Sequence, residues 1–182
     1  VIITPMEIKS IIMNHNKPEI AERLKLVRKS GDGKAAFDFE KRFIHQSGEN
    51  MFELLKESYK GADFKVETRK YIFDMEKKYN WADIVIARSG ALTVSELITS
   101  GTASILIPYP FAVDDHQFFN AKILKDAGAA EIIREKDLEE KLVFSLIKLN
   151  RKKCENMALK AKGLHRYDAC AEVRKVCNTL LK

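Results

Sequence analysis

At 182 residues, 46% of them hydrophobic, the chain is long enough to bury a core of ordinary size and falls within the range of a single domain. Its 32 Lys+Arg against 26 Asp+Glu leave a formal charge of +6, which suits phosphorylated ligands, nucleic acid or an anionic membrane face. No apolar run approaches the roughly 20 residues that span a bilayer, and the opening VIITPMEIKS has neither the charge nor the apolar stretch of a secretory leader, so a soluble protein is expected.

From residue 42 onward, short β-branched runs alternate with helical patterns. RFIHQSG (42–48) leads to ENMFELLKESYKGA, and DFKVETRKYI (63–72) to FDMEKKYNWA. DIVIARSG (83–90) leads to ALTVSELITSG, and ASILIPYP (103–110) to DDHQFFNAKILKDAG. AEIIR (130–134) then precedes a long helical tail. Strands separated by helices of this length predict βαβ units, a parallel sheet and a Rossmann-like α/β domain. Ligands of such sheets bind beyond the carboxyl ends of the strands, and the Ser89-Gly90 corner is one of those ends.

Single residues along this path read more simply. His45, inside the apolar run FIHQSG, is expected to be a satisfied core histidine. Asp114 and Asp115 diverge at a helix start with no third ligand nearby, so no metal is expected. The three cysteines are an odd number. Cys170 and Cys177 stand two helical turns apart, about 10 Å along the axis and too far to bridge, which argues for a reducing compartment. The basic stretch KLNRKKCENMALKAKGLHR reads as the solvated side of a helix, and it lacks the aromatic interleaving that stacks bases, so no nucleic-acid partner is expected.

The corner itself carries the chemistry. A helix starting at Gly90 or Ala91 aims several unpaired N–H groups into the crevice, where phosphate or ribose oxygens could accept them. Val94, Leu97 and Ile98 share one face of that helix and should meet the sheet. Glu96 lies roughly 150° from the centre of that face and should meet solvent or ligand, where a carboxylate suits a ribose diol. A second reading stands beside this one: Thr93 and Glu96 also spell a T-x-x-E capping box.

The segment ADIVIARSGALTVSELITSG, preceded by FIHQSG and followed by ILIPYPFAVDDHQFFNAKILKDAGAAEII, resembles the carboxyl-terminal half of the MurG family of bacterial GT-B glycosyltransferases. The resemblance covers about residues 43–177. It implies the Rossmann-like C-terminal domain of a two-domain enzyme, with UDP-N-acetylglucosamine as donor substrate and no cofactor. It would place Gly90, Ala91, Leu92, Thr93, Val94 and Ser95 along the donor site, with Glu96 on the ribose. Ile72 would meet the uracil through its backbone, and His116, Gln117 and Asn120 would meet the sugar and diphosphate. The last three also form one polar edge of a helix by spacing.

The sequence also departs from the family. Residues 1–26 resemble its interdomain segment, but Glu7 stands where an Arg would serve the donor. Residues 27–41 stand in place of a strand and a glycine-rich phosphate loop. Ser30, Gly31 and Gly33 are either a remnant of that loop or an ordinary exposed turn around Asp32. Residues 42–182 are then the nucleotide-sugar-binding part of one globular domain. The family's acceptor site and catalytic base belong to an amino-terminal domain that this sequence does not match, so no catalytic residue is expected here. The partners implied are a nucleotide sugar and an acceptor-binding domain or subunit, through which any membrane contact would be made. The location implied is cytoplasmic or peripheral at the inner face of the cell membrane. A non-catalytic relative that senses nucleotide sugars or serves as an interaction module is the alternative.

Overall fold

A computed structural model describes residues 2–3, 42–61, 65–166 and 168–180. The expected strands form at β2 (Arg42–Gln46), β3 (Lys65–Arg69), β4 (Val85–Ala87), β5 (Ser104–Leu106) and β6 (Ala130–Ile132). One more, β1 (Ile2–Ile3), joins them. All pairings are parallel, in the order β3-β2-β1-β4-β5-β6. The central place is thus held by Ile2–Ile3, in the stretch read from the sequence as interdomain-like. The strand and loop looked for at 27–41, with Ser30, Gly31 and Gly33, lie outside the described residues.

Alternation along the strands divides the core into two layers. Ile84, Ile86, Ile105 and Ile107 face one side of the sheet, while Val85, Ala87 and Leu106 face the other. Against the second side pack α2 (Met75–Trp81), α3 (Ala91–Ser100) and α4 (His116–Asp126), through Tyr79, Val94, Leu97, Ala121 and Leu124. Against the first pack α5 (Leu138–Lys148) and α6 (Arg151–Gly163), through Leu138, Leu142, Cys154 and Met157. A short helix, α1 (Phe52–Ser58), follows β2 and buries Leu55.

The helix ends explain the boundaries. In α3 the Gly101 N–H reaches Ile98 O at 3.2 Å and the Thr102 N–H reaches Leu97 O at 3.0 Å, a turn closed by Gly101 at φ 64°. The long tail expected from sequence is three helices, α5, α6 and α7 (Ala169–Leu180). Asn150 interrupts it with extended backbone (φ −129°, ψ 169°), and its side chain accepts the Lys153 N–H at 2.8 Å, which starts a new helix. Among the described residues, no helix is long and apolar enough to cross a membrane.

His45 is fully buried, as expected, with Nδ1 2.9 Å from the Tyr59 hydroxyl, but its Nε2 is buried without a hydrogen-bond partner among the described residues, so the expectation of a satisfied histidine holds for one ring nitrogen only. Burial holds its imidazole pKa down at about 4.

Candidate functional site

The strand order reverses direction between β1 and β4, which makes the carboxyl end of β4 one wall of the switch-point crevice of a doubly wound sheet. There the chain leaves Ala87 and turns through Arg88, Ser89 and Gly90 into α3. Gly90 is the residue before the helix, and no side chain caps it. The first bond inside the helix runs from the Val94 N–H to Gly90 O at 3.0 Å. Ala91, Leu92 and Thr93 therefore carry the N–H groups that an α-helix cannot satisfy internally. Glycine is not demanded by the backbone at position 90, since φ is −60° and an added Cβ would meet nothing within 4 Å.

This start decides against the capping box. Thr93 would have to sit just ahead of the helix to bond back into it, but it is the third helical residue. Glu96 is exposed, as its position on the helix predicted, while Val94 and Leu97 are buried. Val94 thus turns its side chain into the core, away from the corner surface.

One oxygen of Glu96 has a partner that the sequence did not suggest. The Tyr79 hydroxyl donates to Glu96 Oε2 at 2.8 Å. Tyr79 is 7% exposed, and burial first, then the carboxylate beside it, raises its phenol pKa, so the hydroxyl remains a proton donor at neutral pH.

The opposite rim is built from the β5–α4 connection and tied to the corner. Buried Ser89 donates through Oγ to Gln117 O at 2.8 Å, and Asn120 Nδ2 donates to Ser89 O at 3.2 Å. Gln117 Oε1 accepts the Tyr109 N–H at 3.0 Å. Gln117 and Asn120 each commit one end of the amide to holding the crevice together. His116 Nδ1 lies 2.8 Å from Val113 O, a carbonyl that can only accept, so Nδ1 carries the proton. In the neutral ring this leaves Nε2 as an acceptor.

The rim is held in an uncommon shape. Asp114 and Asp115 both have left-handed backbone, at φ 51° and 53°. Arg134 grips the Asp115 carboxylate with two bonds, 2.9 and 2.7 Å, and stacks 4.1 Å from the Phe118 ring centre. Beside it, Arg88 pairs with Glu135 at 2.5 Å and lies over Tyr109.

Ile72 is buried near the same end, and its N–H donates to Gln46 Oε1 at 2.8 Å. The structure therefore ties the Ser89-Gly90 corner to Gln117 and Asn120, sets Glu96 on the helix that leaves the corner and His116 at the start of α4, and shows that the Ile72 N–H already has a side-chain partner. Sequence reasoning missed Gln46, Tyr79, Arg88 and Arg134, and it named Ser89 only as part of the corner, without the bonds that tie it to Gln117 and Asn120. Ser89 had a signal, since a buried hydroxyl at a strand end must find a partner. Tyr79 had none, because it reads as a core aromatic of KKYNWA.

Residues 12–173 match the glycosyltransferase family 28 C-terminal domain. Among curated proteins, the UDP-N-acetylglucosamine--N-acetylmuramyl-(pentapeptide) pyrophosphoryl-undecaprenol N-acetylglucosamine transferase of Dechloromonas aromatica is 39% identical over 141 residues, 78% of this chain and 40% of that protein. The protein of the same name from Shewanella frigidimarina is 46% identical over 140 residues, 73% of this chain and 38% of its own. The crystal structure of Acinetobacter baumannii MurG superposes with a TM-score of 0.70 at 34% identity, over 79% of this chain and 42% of that one. The chain thus spans about two-fifths of the length of these relatives. With this match and a wholly parallel sheet, as expected, the chain belongs to the glycosyltransferase family 28 C-terminal domain, the Rossmann-like second domain of GT-B glycosyltransferases.

Proposed function

We propose that this chain binds UDP-N-acetylglucosamine as the donor half of an N-acetylglucosaminyltransferase acting on a lipid-linked muramoyl acceptor. The observation that carries the reading is the uncapped start of α3 at the switch-point crevice, with an exposed carboxylate, Glu96, on the same helix. The names of the relatives supply the substrate.

In this reading the N–H groups of Ala91, Leu92 and Thr93 meet the diphosphate and sugar, with Gly90 and Ser95 flanking them. Glu96 accepts the ribose hydroxyls. His116, Gln117 and Asn120 present the other rim to the sugar and diphosphate. A uracil that accepts from the Ile72 N–H exchanges places with the Gln46 amide, one hydrogen bond for another at close to neutral cost, whereas one that donates to the Ile72 carbonyl leaves that amide in place. Negative charge on the departing diphosphate is stabilised by the fixed N–H dipoles at the start of α3. The proton acceptor for the attacking hydroxyl belongs to an acceptor-binding domain or subunit, and membrane contact is made through it. The chain acts in the cytoplasm or at the inner face of the cell membrane.

Calorimetric titration with UDP and with UDP-N-acetylglucosamine tests the reading. Glu96→Ala should weaken both by roughly 1–3 kcal/mol, the scale of a hydrogen bond to a charged group. Unchanged affinity with a lower melting temperature would overturn it. Glu7, where the family has a donor-serving Arg, favours a second reading, a non-catalytic nucleotide-sugar sensor. UDP binding without any transfer to a lipid I analogue, even after a separately made acceptor domain is added, would select the sensor.

A further inference from the structure

We infer that Tyr79 is a positioning residue that presents the Glu96 carboxylate to a vicinal diol, and so makes this site select ribonucleotides over their deoxy counterparts. The inference rests on the proposed nucleotide-binding reading and adds to it the element that sets sugar selectivity.

An exposed glutamate has three freely turning bonds and no fixed direction, so by itself it discriminates poorly among hydroxyls. Glu96 differs because its Oε2 is held at 2.8 Å by a hydroxyl on a ring that cannot move with it. The Tyr79 ring is packed in the same core layer as Ile72, Val94 and Leu97, on α2, the helix before β4. Val94 and Leu97 lie on the buried face of the helix that carries Glu96, so the ring that orients the carboxylate belongs to the same fixed core layer as that helix. The hydroxyl has only one proton to give, and the raised phenol pKa keeps that proton in place. An ionised carboxylate offers about four acceptor positions on two oxygens. With one of them taken by Tyr79, the rest of Oε2 and all of Oε1 remain for two neighbouring hydroxyls. A pre-oriented acceptor of this kind rejects an analogue that lacks the hydroxyls far better than a mobile one, because the fixed group is then left without its partner.

Tyr79→Phe keeps the buried ring and removes only the donor. The experiment measures dissociation constants of UDP and of 2′,3′-dideoxy-UDP for the wild-type chain, Tyr79→Phe, Glu96→Gln and the double variant, with melting temperatures recorded for each. The wild-type chain is expected to prefer UDP by roughly tenfold or more. Tyr79→Phe should lose most of that preference, weakening UDP several-fold while leaving dideoxy-UDP almost unchanged, and Glu96→Gln added to it should cost little more. Equal weakening of both nucleotides by Tyr79→Phe would show a merely structural tyrosine and overturn the inference. An undiminished preference would overturn it as well. Absence of any preference in the wild-type chain would remove the ribose role of Glu96 itself, whereas a wild-type preference lost in Glu96→Gln but kept in Tyr79→Phe would spare that role and reject only the positioning.

Discussion

Two helices of this chain begin in opposite ways. Helix α6 starts at Asn150, whose side chain accepts the Lys153 N–H at 2.8 Å, while α3 starts at Gly90, which brings no side chain at all. Both starts leave first-turn N–H groups that need acceptors. The chain supplies one at α6, where no function has been placed. At α3 no described residue supplies one, although the backbone at residue 90 would accept a serine or aspartate without strain. The starts of α1, α2, α4 and α5 also lack a side-chain cap, so what sets α3 apart is its place at the switch point of a parallel sheet, where a helix start can meet a ligand.

Acid offers the largest perturbation, and it touches neither helix start. The folded pKa of His45 is about 4 against 6.5 for the ordinary imidazole. Between those values the unfolded chain binds more protons than the folded one, so the stabilising contribution is complete above pH 6.5 and is lost as pH falls toward 4. The loss should be on the order of 3 kcal/mol. Urea titrations at several pH values should show it, with a flatter dependence in His45→Gln. An equal slope in the variant would assign the acid sensitivity to other groups.

Gly90→Asp closes the bare start. Its carboxylate should take the free N–H groups and repel a diphosphate, weakening UDP by about 2 kcal/mol. Stability should hold or rise by up to about 1 kcal/mol, the worth of a good cap. If both affinity and melting temperature fell, the difference between the two helix starts would be without functional meaning. Asn150→Ala makes the smallest change and the converse one. It should lower stability by about 1 kcal/mol and leave the UDP affinity where it was.

The strands and helices after residue 42 were legible because their burial is periodic. Ile84, Val85, Ile86 and Ala87 alternate between two core layers, and Val94 and Leu97 fall one turn apart on α3. The exposure of Glu96 followed from the same periodicity. The division of the tail was within reach, since Asn150 is a strong cap residue between two helical patterns, but a continuous amphipathic pattern hid it. The rim was less legible because its connections are long-range and polar. Tyr79 meets Glu96 across 17 positions, Arg134 meets Asp115 across 19, and Asn120 meets Ser89 across 31. No local spacing encodes such pairs. Left-handed backbone at Asp114 and Asp115 was equally hidden, because aspartate only tolerates that conformation and does not announce it.

The central strand has a consequence for how the chain comes together in time. Among the described residues Ile2–Ile3 links the β3-β2 half of the sheet to the β4-β5-β6 half, and Ile2 pairs with both Ile44 and Val85. During synthesis at roughly 5–20 residues per second, β1 leaves the ribosome several seconds before β4 exists to receive it. The two half-sheets can each form from partners closer in sequence, but the seam between them closes only when β1 is captured by a strand made much later. Assembly of the crevice beside that seam is therefore a late event in the life of each new molecule, and any binding partner that recognises the crevice recognises a chain whose synthesis has passed beyond β4.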